Sequence, residues 1–221
     1  MPTIEFISGL KKPIGDVYCI GRNYAAHAKE LNNPVPKEPM VFLKPASSIV
    51  SDSNNIVLPK QSSDVHHEVE VCIILGETTK RNMTVAEAEN AIDGYAVGID
   101  VTARDIQQKA KEKGHPWSVA KGFATFAPIS QFVNTGEDLH HADLSLELKI
   151  NGEVHQQGNT RDMIFSIPYL ISHLSGIFNL QAGDIVFTGT PEGVGPIKNG
   201  DSLEATLGDG LIRLNVKAVR E

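Results

Sequence analysis

Residues 65–75, Val-His-His-Glu-Val-Glu-Val-Cys-Ile-Ile-Leu, constrain the fold of this chain more than any other stretch. The run is apolar and rich in β-branched residues, broken only by acids and imidazoles at strand spacing. Successive side chains of a strand point to opposite faces. Val65, His67, Val69, Val71, Ile73 and Leu75 therefore share one face, and His66, Glu68, Glu70, Cys72 and Ile74 the other. This sets two carboxylates ~7 Å apart on one side of a strand that otherwise reads as buried. Burying both as anions without compensation costs many kcal/mol, so they must be neutralised, solvated in a cleft, or bound to a cation. An antiparallel sheet with a solvated glutamate face is the plain alternative. No basic residue stands beside them in sequence, which favours the cation.

A third acid strengthens that reading. Gly94-Tyr95-Ala96-Val97-Gly98-Ile99-Asp100 is a second short apolar strand that ends on a carboxylate just before a helix signal. Three carboxylates from two strands suit a hard divalent ion that keeps some of its waters. An ion with open positions can take part in chemistry.

Composition narrows the class of ligand. With 20 basic and 27 acidic residues the chain carries a net charge of −7, which argues against nucleic acid as a partner and leaves small molecules. The 221 residues are expected to form one domain over residues 1–221. Cys19 and Cys72 both lie in apolar runs and read as buried thiols in a reducing compartment. The start of the chain shows no basic segment followed by a long apolar one, and no run approaches a membrane span. The expectation is a cytoplasmic protein with no membrane partner.

Along the chain, residues 16–20 form a strand that leads through Gly21-Arg22-Asn23-Tyr24 into a helix from Ala25 to Leu31, on which His27 and Glu30 are neighbours. A surface ion pair is the plain reading of those two. Prolines 34, 36 and 39 then stop the helix, and Asn32 to Pro39 reads as an exposed loop, a plain connector or, beside His27 and Glu30, a lid. Met40–Lys44 and Ile56–Leu58 are strands. Thr84 and Glu87 form a capping box for a helix from Thr84 to Ile92, and Thr102 is the expected cap of a helix that runs to Lys113 and stops at Gly114. Arg104 and Gln107 share one face of it. Lys121, alone in a weakly polar segment, would ordinarily be a solvated lysine.

Further on, Leu144–Ile150 alternates and Asn151-Gly152 marks a hairpin. His140, His141 and His155 sit near turns and polar strands, where solvation is favoured over metal ligation. Ser166 can cap a helix through Ile177 whose apolar stripe is Ile167, Leu170, Ile171, Leu174 and Ile177. A strand at residues 183–188 opens into Gly189-Thr190-Pro191-Glu192-Gly193-Val194-Gly195-Pro196. This loop lacks both nucleotide fingerprints, so it is either a glycine-rich turn or a set of amides that, with Thr190, holds a small carboxylate.

Taken in order, Gly21-Arg22-Asn23-Tyr24 with His27 and Glu30, His67-Glu68-Val69-Glu70, Asp100-Val101-Thr102-Ala103-Arg104-Asp105, Lys121 and Gly189–Pro196 resemble the fumarylacetoacetate hydrolase family, from about Asp16 to Val216. The short acylpyruvate hydrolase and oxaloacetate decarboxylase branch is the nearest in pattern. The resemblance implies an α+β fold, a β-rich mixed-sheet roll with a few short helices, commonly a homodimer. It implies Mg2+ or Mn2+ on Glu68, Glu70 and Asp100, catalysis by His27, Glu30 and Lys121, and substrate contacts from Arg22, Arg104, Gln107 and Thr190. The implied reaction is metal-dependent hydrolysis of a carbon–carbon bond in a small β-diketo acid such as acetylpyruvate or fumarylpyruvate, with decarboxylation of oxaloacetate at the same site. A 2-hydroxyhepta-2,4-diene-1,7-dioate isomerase is the alternative enzyme, and a non-catalytic metal-stabilised binding protein the alternative of another class. Larger relatives supply a fourth carboxylate where this chain has Cys19-Ile20-Gly21, so an ion here would keep one more water or leave room for a chelating substrate.

Overall fold

The computed structural model describes residues 3–30, 34–136 and 139–221. Its architecture is the expected α+β one, mixed β-sheets with a few short helices. The larger sheet has the strand order Met40–Lys44, Val17–Gly21, Ile185–Phe187, Val69–Leu75, Ile92–Ile99, Ala127–Ile129, Ile49–Ser51, and Val133–Asn134 also pairs with Ile92–Ile99. Parallel pairs occur within it at Val17–Gly21 with Ile185–Phe187 and at Ala127–Ile129 with Ile49–Ser51, and the other pairs are antiparallel. A five-stranded sheet runs Glu153–Asn159, Ser145–Ile150, Ser202–Leu207, Ile212–Arg220, Asn55–Leu58. Between them sits a three-stranded patch of Thr102–Ala103, Val65–His67 and Gly195–Pro196, which forms the floor of the site.

The helices are α1 (Ala25–Glu30), α2 (Val85–Asn90), α3 (Arg104–Lys113), α4 (Ser118–Lys121) and α5 (Ile167–Ile177). None is long and apolar enough to cross a membrane. Leu31, Asn32 and Asn33, the expected end of the first helix and start of the lid, lie outside the described residues, and residues 34–39 hold neither helix nor strand.

The alternation read at 65–75 is preserved, but both faces are dry. Val65, Val69, Val71, Ile73 and Leu75 enter one apolar cluster, which also takes residues of the five-stranded sheet. Cys72 and Ile74 enter a second cluster with Cys19, Phe132 and Phe187. Both cysteines are free and fully buried, and each is in register with Phe187, so that strand separates them.

Four local expectations are corrected. Residues 65–75 form two strands, Val65–His67 and Val69–Leu75, because the chain changes sheets at Glu68 and the amide of Val69 donates to the side chain of Gln156 (3.0 Å). The capping box at Thr84 and Glu87 is present, but the helix ends at Asn90, since buried Ile92 pairs with Leu75 in the sheet. Thr102 does not cap α3: it is paired with His66, its hydroxyl donates to the Asp100 carbonyl (3.1 Å), and Ala103 takes the cap position. Ser166 precedes α5 without a side-chain cap bond, and Ile177 is 51% exposed, so the buried stripe stops at Leu174. Gly114 does close α3, with φ +65°. Asn151 and Gly152, at φ +52° and +86°, make the expected hairpin between Ser145–Ile150 and Glu153–Asn159.

Candidate active site

The carboxylates meet where the larger sheet gives way to the three-stranded patch. Glu68 occupies the break between its two strands, Glu70 lies two residues on, and Asp100 follows the end of Ile92–Ile99, with its amide donating to the Glu68 carbonyl (2.8 Å). Glu68, Glu70 and Asp100 are all buried, and a ligand oxygen of each lies within 4.8 Å of the others.

Bases that are remote in sequence reach these acids in space. Lys121 Nζ donates to Glu68 (2.9 Å) and Asp100 (2.5 Å), and Arg104 donates to the other Glu68 oxygen. The expectation of a solvated Lys121 is thus overturned, since the residue is 2% exposed and sits 4.7 Å over the ring of Phe42. Burial alone would push Glu68 up, but the Lys121 and Arg104 charges hold it well below the usual carboxylate range. Burial would also lower Lys121, yet Asp100 and Glu68 raise it.

Glu70 behaves differently. Burial and then the charges of Asp100 and Glu68 push it well above the usual range, and the main relief comes from the amide of Gly189 (2.7 Å). Sequence reasoning missed Lys44, which has no exposed side-chain surface. Its three ammonium protons are spent on the carbonyls of Val101 (3.0 Å), Lys121 (2.6 Å) and Phe126 (2.8 Å). Asp100 Oδ1 lies 2.7 Å from Lys44 Nζ, and yet this buried oxygen accepts no hydrogen bond.

The glycine loop serves the chain's own acids. Besides Gly189 on Glu70, the Gly193 amide donates to Glu30 (3.1 Å), whose other oxygen lies 3.3 Å from His27 Nδ1. His27 is 4% exposed while Glu30 is exposed, so the plain reading as a surface pair holds for the glutamate and not for the histidine. Glycine is required at both amides. At φ +103° a Cβ on Gly189 would sit 2.6 Å from Asn23 Cβ, and at φ +92° one on Gly193 would sit 2.2 Å from the His155 carbonyl oxygen. Asn23 in turn fixes the approach to α1, bonding the Thr188 carbonyl (2.9 Å) and both backbone groups of Phe165.

Gln156, also missed from sequence, is saturated. Its oxygen accepts from His67 Nδ1 (2.9 Å) and the Val69 amide (3.0 Å), and its nitrogen donates to Thr190 Oγ1 (2.8 Å) and the Pro191 carbonyl (3.0 Å). Because Thr190 accepts from Gln156, its own proton is left for another acceptor. Arg22, His27, Glu68, Glu70, Arg104, Gln107, Lys121 and Thr190 all line one cavity. Ile20, Phe42, Lys111 and Trp117 line it too, and sequence reasoning did not single them out. Exposed Glu30 and buried Asp100 do not line it, but each contacts a residue that does, His27 and Lys121 respectively.

This arrangement can be set against known proteins. Residues 16–217 match the family model for the fumarylacetoacetate hydrolase C-terminal domain. The chain belongs to the fumarylacetoacetate hydrolase family. It is 49% identical over 189 residues to the mitochondrial oxaloacetate tautomerase of Arabidopsis thaliana, covering 86% of this chain and 84% of that protein. Among solved structures it resembles the fumarylpyruvate hydrolase of Pseudomonas aeruginosa, solved in complex with Mn2+ and pyruvate. The TM-score is 0.95 at 35% identity, over 100% of this chain and 96% of that one. It also resembles the 2-hydroxyhepta-2,4-diene-1,7-dioate isomerase of Mycobacterium marinum, with a TM-score of 0.82 at 35% identity, over 97% and 82% of the two chains.

The residues of this family member fit a divalent ion. The donor set is three carboxylates and no sulfur, Asp100 has a buried oxygen that accepts no hydrogen bond although it lies beside Lys44, and the mutual repulsion felt by Glu70 is what a cation would relieve. A second group, Glu89, His140 and His141, also brings possible ligand atoms within 4.8 Å of one another, but two of its members are exposed and His141 Nε2 is paired to Glu89 (2.8 Å).

His67 supplies a pH test of the floor. Burial lowers its pKa to about 4, against about 6.5 in an unfolded chain. Between those values the unfolded state binds the extra proton, so the His67 contribution is complete above pH 6.5 and is lost as pH falls toward 4. It is on the order of 3 kcal/mol. His67→Asn keeps a donor toward Gln156 and cannot titrate. Urea midpoints measured across that range should slope less in the variant than in wild type, and identical slopes would show that His67 is solvated.

Proposed function

We propose that this chain is a Mg2+- or Mn2+-dependent enzyme acting on small 2-oxo acids through their enolates, with keto–enol interconversion of oxaloacetate as its first reaction. The observation that carries this reading is the placing of buried His27, backed by Glu30 at its Nδ1, on the same cavity as Glu68, Glu70 and Lys121. The relative named as an oxaloacetate tautomerase supports the choice of substrate.

Glu68, Glu70 and Asp100 would hold the ion, which when bound supplies a Lewis acid for the 2-oxo oxygen and the adjoining carboxylate. Arg104 and the Thr190 hydroxyl grip that carboxylate, and Gln107, which accepts from Arg104 (2.7 Å), keeps the guanidinium aimed. His27 takes a proton from C3 of the keto acid and the C–H electron pair moves onto the 2-oxo oxygen, which then takes a proton from the imidazolium or from water to give the enol. The same steps in reverse, ending with the proton on C3, regenerate the keto form. Glu30 stabilises the imidazolium in between. Lys121 places positive charge beside the developing oxyanion.

Hydrolysis of acylpyruvates is the second reading, favoured by the same dyad. There His27 takes the proton of a water that attacks the distal carbonyl. The C–C bond then breaks, its electron pair leaves as the pyruvate enolate, and the imidazolium protonates that carbon. The name of the fumarylpyruvate hydrolase supports this reaction.

The test is loss of the enol absorbance of oxaloacetate and of acetylpyruvate, with Mg2+ and with a chelator. Glu70→Gln adds a binding readout. The amide keeps an acceptor for Gly189 but removes one of three repelling charges, so the metal-free protein should melt no lower than wild type while Mn2+ affinity falls more than about tenfold. Unchanged Mn2+ affinity would remove the ion from these residues.

A further inference from the structure

Helix α3 carries its functional stripe one turn past the pair read from sequence. Arg104, Gln107 and Lys111 are spaced i, i+3, i+7, and all three line the cavity. Lys111 Nζ rests 5.4 Å from the centre of the Trp117 ring, which itself packs edge-on to Phe42 at 5.7 Å. Arg22 reaches the same cavity from the end of the strand Val17–Gly21.

These two cations differ from their neighbours. Arg104, Lys121 and Lys44 are committed to Glu68 and Asp100. Arg22 and Lys111 are half-buried, and neither side chain makes an ion pair or hydrogen bond with any described residue. Burial and then the charges of Arg104 and Arg22 hold Lys111 below the usual lysine pKa. Arg22 also stands at φ +59°, a left-handed conformation that is unfavourable for a side chain of its kind. Two partly desolvated positive charges beside an anion site, one of them on strained backbone, are a cost that a ligand carrying a second negative charge would offset.

We propose that Lys111 and Arg22 receive a second carboxylate of the substrate, so that the site selects 2-oxo diacids over 2-oxo monoacids. This rests on the reading that the 2-oxo acid end is held at Glu68, Glu70 and Asp100. Trp117 is then a positioning residue, holding the lysine over the cavity while leaving its ammonium unpaired.

Malate and 2-hydroxybutyrate test this without turnover, because they differ only in a distal carboxylate against a methyl group. Calorimetric titration of the Mg2+-loaded protein should show wild type favouring malate by at least about tenfold. Lys111→Met should weaken malate by about 10- to 100-fold and 2-hydroxybutyrate by less than about threefold, and Lys111→Arg should keep most of the preference. Arg22→Gly removes the second charge and the strained conformation together, so it should raise the melting temperature while weakening malate. The proposal is overturned if wild type binds neither ligand or binds both equally, if both charge-removing variants keep the preference, or if they weaken the two ligands alike. A wild type that prefers malate but turns over no 2-oxo acid would leave the receptor standing and sink the enolate chemistry. Turnover without the preference would do the reverse.

Discussion

Glu30→Gln is expected to lower acylpyruvate hydrolysis and oxaloacetate keto–enol interconversion by about 10²–10⁴-fold while oxaloacetate decarboxylation falls less than about tenfold. The substitution keeps the size of the side chain and leaves an oxygen for the Gly193 amide, so the loop is still tied to α1. It removes the charge beside His27 Nδ1. Both affected reactions pass through an imidazolium, formed from a water in one case and from C3 of the substrate in the other. Decarboxylation releases carbon dioxide and leaves its electron pair on the enolate, which needs positive charge at the oxygen but no base. The measurement is kcat/KM for the three reactions at one Mg2+ concentration. Equal losses in all three would assign Glu30 to holding the Gly193 loop and take the proton transfer away from the dyad.

Lys44→Met should cost the fold about 3–5 kcal/mol. Methionine fills nearly the same length of cavity but donates nothing. The carbonyls of Val101, Lys121 and Phe126 would be left buried and unpaired, and Asp100 would keep Lys121 as its remaining cation. Those carbonyls belong to the segment after Asp100, the end of α4 and the turn before Ala127–Ile129. One ammonium therefore holds together the backbone that presents both Asp100 and Lys121. Urea unfolding should show a lower midpoint at unchanged slope. A loss under about 1 kcal/mol would mean that water replaces the ammonium and that the segments hold their places without it.

These two residues also mark what the amino-acid sequence discloses. The dyad was legible because three residues along a helix is a neighbour spacing, and the carboxylates because period-two alternation sets Glu68 and Glu70 on one face. Lys44 was not, because an isolated lysine at a strand end looks solvated, and its three acceptors come from segments far along the chain. Lys121 was hidden for the same reason: its partners are 53 and 21 residues away. Lys111 could have been found by following the α3 stripe one turn beyond Gln107. The break at Glu68 could not, since it depends on the side chain of Gln156, 87 residues along, capturing the Val69 amide. The fold class itself was written in strand alternation and the hairpin turn, whereas the ends of α2 and α5 were decided by pairing and packing.

The two buried thiols give this sheet a built-in clock. Cys19 and Cys72 flank the strand Ile185–Phe187 behind the carboxylates, and neither has accessible surface. An alkylating reagent can reach them only when the sheet opens, so the rate of labelling reports the free energy of that opening in the unmodified protein. Because they sit on either side of one strand, equal rates for the two would identify an opening that releases all three strands together, and a faster Cys19 would identify peeling from the edge strand Met40–Lys44 inward.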